Sequence, residues 1–256
     1  MDLTGKSIVL TGGTRGIGSA TALLMDELGA DVVITGRNEK RGEDIERKAK
    51  NGRIRFLKVD LEVRSEAISF GEWIQNKLDR LDVLINNASR NSMFNLDNIT
   101  YDEWDRIMQL NITSPFILSR YSARRMIKEG TKGKIINISA VQSFFPLKNS
   151  FAYVTSKGGL VSMTKSLAVD LGEYGISAIA VLPGPIYNRD NQISASYDSR
   201  SAALLGRMGK VSEVANLLAF LSSDLASFMT GNIIVIDGGR TISRKPDPEE
   251  ISSGEY

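Results

Sequence analysis

Apolar and polar positions follow one repeated order along this chain, in which a short continuous apolar run precedes a longer stretch with helical spacing. The apolar runs predict seven buried strands, at residues 7–11, 31–35, 54–59, 81–85, 133–138, 176–181 and 232–236. The stretches between them predict helices at about 17–28, 39–50, 66–78, 101–128, 151–174 and 211–221. Because repeated strand–helix alternation requires a parallel sheet covered on both faces, the pattern predicts an α/β fold of the doubly wound type.

The pattern predicts one domain over residues 1–239, since no linker rich in Pro, Gly or Ser divides the chain. Two segments depart from the alternation. The connection at 184–207 has few apolar anchors, and we expect a substrate loop there because long connections in compact domains are often functional lids. The tail at 240–256 is charged and rich in Pro, Glu and Ser, which is typical of a disordered segment or of one that wraps over a partner subunit.

Composition gives no reason to expect a nucleic acid or a membrane as a partner. The 256 residues include 32 Lys and Arg against 30 Asp and Glu, so the net charge of +2 leaves no concentrated basic surface. No apolar run approaches the ~20 residues that cross a bilayer, and the first residues lack the apolar core of a signal peptide. The absence of cysteine fits the same expectation of a cytoplasmic protein.

The chain contains no histidine and no cysteine, which narrows its chemistry. It has no imidazole base, no thiolate nucleophile and no zinc site of the usual nitrogen or sulfur kind, and we expect no metal. Proton transfer is left to carboxylates, lysine or tyrosine. Tyr153 and Lys157 stand four residues apart on a predicted helix and share one face of it. A nearby cation lowers a phenol pKa from its usual value of ~10, so the pair predicts a proton donor, Tyr153, and a lysine that adjusts its pKa. The alternative is that both residues simply belong to the polar face of an amphipathic surface helix.

A glycine-rich turn separates the first predicted strand from the first predicted helix. Glycines at this place permit a tight turn and let the backbone approach a pyrophosphate, while the start of the helix supplies N–H donors. The turn therefore predicts a dinucleotide site rather than plain turn geometry. Its expected binding residues are Gly12, Thr14, Arg15, Gly16, Ile17 and Gly18.

The spacing of this turn is TGxxxGxG, and further motifs follow it in order along the chain. They are Asn86-Asn87-Ala88, Asn111, Ser139, the pair Tyr153 and Lys157, and Pro183-Gly184. Together they resemble the short-chain dehydrogenase/reductase family from about Gly5 to Gly239. The resemblance implies a Rossmann fold of about seven parallel strands and a reaction that interconverts a carbonyl and an alcohol by hydride transfer.

The same resemblance implies roles for four catalytic residues. Tyr153 passes a proton to or from oxygen, Lys157 lowers the pKa of that phenol and holds the nicotinamide ribose, Ser139 bonds the substrate carbonyl, and Asn111 helps to fix a water. Asn111 also stands out by itself, because an Asn inside a long helix competes for backbone hydrogen bonds unless it bends the helix or fills a polar pocket. Two positions depart from the family, with Ser89 where Gly is usual and Asn188 where Thr is common.

The choice between the two nicotinamide cofactors depends on the end of the second strand. An acid there accepts hydrogen bonds from a ribose 2′-hydroxyl and repels a 2′-phosphate, whereas an arginine does the reverse. The chain has Arg37 and no acid at this point, and Arg15 adds a second cation. We therefore expect NADP(H) to be preferred, with NAD(H) as the second cofactor and a solvated Arg37 as the alternative interpretation.

The resemblance assigns further residues to cofactor and substrate. Besides the turn and Arg37, the cofactor positions are Asp60, Leu61, Asn87, Ala88, Tyr153, Lys157, Pro183, Gly184 and Ile186. For Asp60, an equally weighted alternative to contact with the adenine ring is that it caps the turn before the next helix. For Asn87, the alternative to cofactor contact is that it simply forms a turn. The expected substrate walls are Arg90, Val141, Phe145, Lys148 and Tyr187, whose charges either attract an anion or are simply solvated.

Substrate identity stays open at this stage. A 3-oxoacyl-type or other ketone reductase is the leading expectation, a glucose-type sugar 1-dehydrogenase is the alternative, and a non-catalytic dinucleotide sensor is a third. The resemblance also implies a homodimer or homotetramer built through two long helices and the last strand. Met163, Leu167 and Leu171 have spacing suited to such a seam, which core burial explains equally well.

Overall fold

The computed structural model describes residues 1–91, 93–187 and 203–242. Seven parallel strands form its main sheet, in the order β3-β2-β1-β4-β5-β6-β9. They are β1 (Ser7–Leu10), β2 (Asp31–Gly36), β3 (Ile54–Lys58), β4 (Val83–Asn86), β5 (Lys134–Ile138), β6 (Ser177–Pro183) and β9 (Ile233–Ile236). The order reverses between β1 and β4, where open α/β sheets bind ligands beyond the carboxyl ends of their strands. The predicted doubly wound sheet is confirmed.

Helices cover both faces of the sheet, as the apolar runs of the strands require. They are α1 (Gly16–Glu27), α2 (Glu39–Lys48), α3 (Arg64–Asn76), α4 (Tyr101–Met108), α5 (Ser114–Glu129), α6 (Phe151–Leu171) and α7 (Val211–Ser222). Helices α1 and α7 pack together over one apolar core, and α3 and α5 pack together over a second core on the opposite face. A two-residue strand pair, β7 (Ile186–Tyr187) with β8 (Gly209–Lys210), lies outside the main sheet.

One predicted helix is interrupted. The stretch expected to be continuous from 101 to 128 contains a π-helical turn at Gln109–Thr113, between α4 and α5. Pro115, in the first turn of α5, has no N–H to donate to the carbonyl of Asn111 four residues earlier, so a regular α-helix loses a hydrogen bond at this point. Asn111 lies inside the π turn and is completely buried. Asn111 therefore coincides with an irregular turn and does not interrupt a regular helix.

Two sequence predictions fall partly beyond the described residues. In the expected substrate loop at 184–207, residues 188–202, including Asn188, lie outside them, and so do residues 243–256 of the tail. No helix in the described ranges combines the length and apolarity that a membrane span needs. Leu171 is buried in the core beneath α3 and α5, and Leu167 packs against that core, so core burial accounts for two of the three residues of the expected seam.

Candidate active site

The turn after β1 has a backbone that only glycine fits at two points. Gly12 has φ of 67°, in the left-handed region, and a Cβ atom there would lie 2.9 Å from the Cα atom of Ala88. A Cβ atom at Gly18 would lie 2.2 Å from the carbonyl oxygen of Gly12 and 2.7 Å from Nδ2 of Asn87. The first turn of α1 therefore approaches the preceding loop more closely than any side chain permits. This close approach leaves a cradle of backbone atoms at a helix N-terminus, which suits a pyrophosphate.

Thr11 and Asn87 tie this turn to the end of β4. The Oγ1 atom of Thr11 accepts hydrogen bonds from the backbone N–H groups of Asn87 and Ala88, each at 3.0 Å. In return, Nδ2 of Asn87 donates to the carbonyls of Thr11 at 2.9 Å and Gly12 at 3.1 Å. Asn87 thus holds two strands together instead of merely forming a turn. The neighbouring Asn86 is buried and donates to Oδ1 of Asn137 at 2.8 Å.

An open cleft extends from this turn across the carboxyl ends of the strands. Eleven of the sequence-predicted cofactor residues line it together: Gly12, Thr14, Arg15, Gly16, Ile17, Gly18, Arg37, Asp60, Leu61, Asn87 and Ala88. Thr35, Gly36, Val59, Glu62, Ser89 and Leu110 complete the lining. A glycine cradle at one end and two arginines near it fit the phosphates of a dinucleotide. The residues present therefore suit the cofactor that the sequence predicts.

Asp60 has the structural role considered for it, in the turn before the next helix. Its Oδ1 atom accepts from the backbone N–H of Glu62 at 2.9 Å, and its own N–H donates to Oε2 of Glu66 at 2.7 Å in the first turn of α3. Asp60 therefore stabilises the turn before that helix. Because it also lines the cleft, this structural role does not compete with the adenine contact, which stays a prediction.

Arg37 reaches the cleft with two carboxylates beside it. Its Nη1 atom lies 3.0 Å from Oε1 of Glu62 and 4.0 Å from Oδ2 of Asp60. The sequence argument found no acid at the end of β2, and that remains true of the strand itself. The acids come instead from the loop after the neighbouring strand β3. Glu62 was missed, although its place just beyond the strand that pairs with β2 was a usable signal.

Asn111 lies at the centre of a hydrogen-bond network at the other end of the site. Its Oδ1 atom accepts from the backbone N–H of Arg90 at 2.9 Å, and its Nδ2 atom donates to the carbonyl of Arg90 at 3.0 Å. Nδ2 also donates to Oγ of Ser156 at 3.0 Å, and Ser156 in turn donates to the carbonyl of Tyr153 at 2.7 Å. Ser156, which sequence reasoning missed, therefore links Asn111 to the helix that carries Tyr153.

Ser139 and Lys157 meet at the end of β5. The buried Nζ atom of Lys157 donates to the carbonyl of Ile138 at 2.7 Å, and Oγ of Ser139 donates to the carbonyl of Lys157 at 2.8 Å. Tyr153 lies one turn before Lys157 on α6, and Nζ lies 5.7 Å from the centre of the phenol ring. The geometry brings the expected Ser, Tyr and Lys together at the carboxyl edge of the sheet.

The pKa of Tyr153 moves in the opposite direction to the one expected from the neighbouring Lys157. Burial raises the pKa of Tyr153 to about 12, and burial lowers the pKa of Lys157 to about 7. The expected lowering of the phenol pKa by Lys157 is therefore wrong for this structure. Both groups lose solvation in their charged forms, and the ammonium faces the ring rather than being hydrogen-bonded to the hydroxyl. The phenol consequently stays neutral, with its proton available, at ordinary pH.

Comparison with known proteins now decides the family. The family model described as enoyl-(acyl carrier protein) reductase matches residues 12–241. A solved structure described as a short-chain dehydrogenase/reductase family protein superposes with a TM-score of 0.87 at 29% identity, over 95% of this chain and 100% of the other. The chain is a short-chain dehydrogenase/reductase. It is an oxidoreductase that depends on a nicotinamide dinucleotide and acts on CH–OH groups.

Two curated relatives with different substrates in their names are similar to this short-chain dehydrogenase/reductase. The 3-oxoacyl-[acyl-carrier-protein] reductase FabG of Aquifex aeolicus is 36% identical over 93% of this chain and 98% of its own length. Glucose 1-dehydrogenase 2 of Bacillus subtilis is 32% identical over 94% of this chain and 96% of its own. Both similarities extend across the whole fold, so neither substrate follows from coverage alone.

Five expected cofactor residues of this short-chain dehydrogenase/reductase lie outside the lining of the cleft described above: Tyr153 and Lys157 on α6, and Pro183, Gly184 and Ile186. Pro183 ends β6, and Gly184 follows it with its backbone N–H donated to Ile236. A Cβ atom at Gly184 would lie 2.5 Å from Cβ of Asp237, so packing alone requires glycine here. Ile186 begins β7 and borders a separate small cavity with Asp237. Their contacts with the cofactor stay predictions.

The expected substrate residues differ in how far they are exposed to solvent. Val141 is buried in a small apolar cluster, whereas Phe145, Lys148 and Tyr187 are exposed. Arg90 is ion-paired, with Nη2 3.1 Å from Oε2 of Glu103 and Nη1 3.5 Å from both Oε atoms of Glu62. These carboxylates compensate its charge, and the expected attraction of an anion by Arg90 stays a prediction. A place for all five in the substrate wall stays a prediction.

Proposed function

We propose that this protein is an NADP(H)-preferring reductase that converts a ketone, of the 3-oxoacyl type or a related one, into an alcohol. The observation that carries the proposal is the placement of Tyr153 beside Lys157, with Nζ 5.7 Å from the centre of the phenol ring, and of Ser139 bonded to the carbonyl of Lys157 at 2.8 Å. Burial raises the pKa of Tyr153 to about 12, so the phenol is protonated at neutral pH and can give a proton to a carbonyl oxygen. The relatives named as 3-oxoacyl reductases support reduction as the direction.

A nicotinamide dinucleotide held by the residues of the cleft would supply the hydride for the carbonyl carbon. Tyr153 donates its proton to the carbonyl oxygen, and the hydroxyl of Ser139 orients that oxygen. Lys157 keeps α6 fixed to the end of β5 through its bond to Ile138. Asn111 and Ser156 hold the backbone of Tyr153 and the loop after β4 in register, so that the phenol and the cleft keep one relative position.

Arg37 and Arg15 support the preference for NADP(H). Both line the cleft, and Arg15 precedes the N-terminus of α1, where an anion is also favoured by the helix dipole. FabG-type relatives, named as 3-oxoacyl reductases, support the substrate class. The relative named glucose 1-dehydrogenase keeps a sugar 1-dehydrogenase as the second candidate. A dinucleotide sensor is disfavoured, because Asn111, Ser139, Tyr153 and Lys157 are all present and adjacent.

A coupled assay at the NADPH absorbance tests the proposal in both directions. We expect NADPH consumption at pH 7 with a 3-oxoacyl thioester, and a higher kcat/KM for NADPH than for NADH. Faster oxidation of glucose than reduction of any ketone would replace the first candidate with the second, and a clear preference for NADH would contradict the cofactor assignment. We also propose, from the family resemblance, that copies associate as a homodimer or homotetramer, which mass measurement in solution checks.

A further inference from the structure

Glu62 lies in the cofactor cleft between two arginines, Arg37 just after β2 and Arg90 in the loop after β4. One oxygen, Oε1, is 3.0 Å from Nη1 of Arg37, and both oxygens are 3.5 Å from Nη1 of Arg90. Only 12% of its side chain is exposed, so its charge is partly shielded from water. A shielded carboxylate between two guanidinium groups is strongly held in position.

The ion pair with Glu62 occupies the guanidinium group of Arg37, which the proposed function assigns to a 2′-phosphate. Arg37 has 59% of its side chain exposed, and its Nη1 faces Glu62 at hydrogen-bonding distance with Asp60 just beyond. A phosphate that binds Arg37 must share it with these carboxylates or replace them, and it brings further negative charge close to both. A ribose 2′-hydroxyl meets no such repulsion, because a carboxylate can accept its hydrogen bond.

Arg90 makes this exchange feasible. It contacts both oxygens of Glu62 and also Glu103, whose second partner is Arg106 at 3.4 Å. If Arg37 turns to a phosphate, Glu62 keeps Arg90 as a partner and is not left as an unpaired, shielded charge. The cost of releasing Arg37 is therefore that of one partly exposed ion pair and not that of an orphaned carboxylate.

We propose that Glu62 is a specificity-determining residue for the adenosine ribose, and that it weakens NADP(H) binding by holding Arg37 in the place of a 2′-phosphate. The proposal rests on the proposed role of Arg37 in NADP(H) binding. Glu62 sets how strong the preference is, whereas the two arginines set its direction. Its removal therefore shifts the ratio of the two affinities towards NADPH, whichever cofactor the natural protein favours.

The test uses Glu62→Gln, which removes the charge and keeps the size of the side chain. Dissociation constants for NADPH, NADH and the fragments 2′,5′-ADP and 5′-ADP are measured by calorimetry on the full chain, without turnover. We expect NADPH and 2′,5′-ADP to bind about tenfold more tightly, with NADH and 5′-ADP within about twofold of the natural protein. An unchanged ratio of NADPH to NADH affinity overturns the proposal.

Two further variants separate this effect from a general change in charge. Glu103→Gln removes a carboxylate from the same row of ion pairs but touches Arg90 and Arg106 only, so it should leave the ratio unchanged. In an Arg37→Ala background, Glu62→Gln should have a smaller effect on NADPH, because the ion pair no longer exists and only the direct repulsion of the phosphate by Glu62 remains. A full effect in that background also overturns the proposal. If Glu62→Gln does not fold, Glu62→Asp keeps the charge for Arg90, shortens the reach to Arg37, and should shift the ratio in the same direction.

The cofactor preference of the natural protein and the shift caused by Glu62→Gln are tested independently of each other. If it prefers NADH, the proposed cofactor preference fails, yet the shift caused by Glu62→Gln still decides the role of Glu62. If it prefers NADPH and Glu62→Gln changes nothing, the preference stands and the role of Glu62 fails.

Discussion

The side-chain amide of Asn111 binds both backbone groups of Arg90, accepting from its N–H at 2.9 Å and donating to its carbonyl at 3.0 Å. One residue in the π turn thereby fixes the loop after β4, where the cofactor cleft begins. The same amide contacts Ser156, so it connects the cleft to the helix of Tyr153. The two ends of the active site share a single buried anchor.

Replacement of that anchor should therefore affect stability and activity together. Asn111→Ala leaves the backbone N–H and carbonyl of Arg90 without the partner that Asn111 provides, and each unsatisfied buried group costs about 1–3 kcal/mol. We expect the melting temperature to fall by several degrees and kcat to fall as well. Asn76→Ala, on the exposed end of α3, serves as the matched control and should change neither. Natural values of both quantities in Asn111→Ala would contradict the anchor.

Removal of the phenol hydroxyl should separate chemistry from binding. Tyr153→Phe keeps the ring beside Lys157 but removes the transferable proton, and general acid catalysis typically contributes about 10²–10⁴-fold to the rate. We expect kcat to fall by that factor while the dissociation constant of NADPH stays within about twofold. Tyr101→Phe is the control, because Tyr101 is 91% exposed at the start of α4. Retained turnover in Tyr153→Phe would remove Tyr153 from the mechanism.

The buried Lys157 should make stability depend on pH in a defined direction. Burial lowers its pKa from the usual 10.5 to about 7 in the folded protein, so the unfolded chain binds more protons between these values. The contribution of Lys157 to the free energy of unfolding therefore rises as the pH rises from 7 to 10.5. Below pH 7, Lys157 destabilises the folded protein by its full amount. Lys157→Met removes this dependence, so its stability relative to the natural protein should be highest near pH 7 and decline towards pH 10.

Urea denaturation at both pH values measures this, and Lys134→Met is the control. Lys134 is also buried, donates to the carbonyl of Ser223 at 2.7 Å, and has its pKa lowered by burial to about 8. It should show the same trend with pH while retaining turnover, which Lys157→Met should lose. A stability difference for Lys157→Met that increases with pH would contradict the assigned direction.

The glycine turn should tolerate no side chain at Gly18. A Cβ atom there meets the carbonyl oxygen of Gly12 at 2.2 Å, so Gly18→Ala must push α1 away from the turn. We expect at least tenfold weaker binding of NADPH and a lower melting temperature, since overpacking of this kind costs about 1–3 kcal/mol. Gly158→Ala is the control, because it lies within α6 with nothing within 4 Å of a new Cβ atom, and it should be neutral or stabilising by up to about 1 kcal/mol. Equal cofactor affinities in the two variants would contradict the close approach.

The strands and helices could be predicted because buried parallel strands form continuous apolar runs that contrast with helical spacing. The run before the glycine turn became β1, and the predicted helix at 151–174 became α6, with a tighter turn at Gly172–Tyr174 as its last part. The interruption at Gln109–Thr113 was not predicted, because a π turn leaves apolar spacing almost unchanged. Pro115 and the costly Asn111 were the local signals for it.

Charges and pKa values could not be predicted in the same way. Arg37 and Glu62 are brought together by the pairing of β2 with β3, and Arg90 meets Glu103 through the fold of the chain after β4. Spacing along the sequence indicates none of these pairs. The prediction of a lowered pKa for Tyr153 was wrong for a related reason. A lysine four residues away in sequence suggests that the phenolate is stabilised, but burial of both groups decides the direction of the two pKa shifts.

The π turn makes the geometry of this site depend on residue count as well as residue identity. A π turn contains one residue more than a regular helical turn, so a single deletion within Gln109–Thr113 could restore a continuous α-helix. Such a deletion would remove the wide turn in which Asn111 is now held. Engineering of this enzyme therefore has more freedom to exchange side chains along the interrupted helix than to shorten it by one residue.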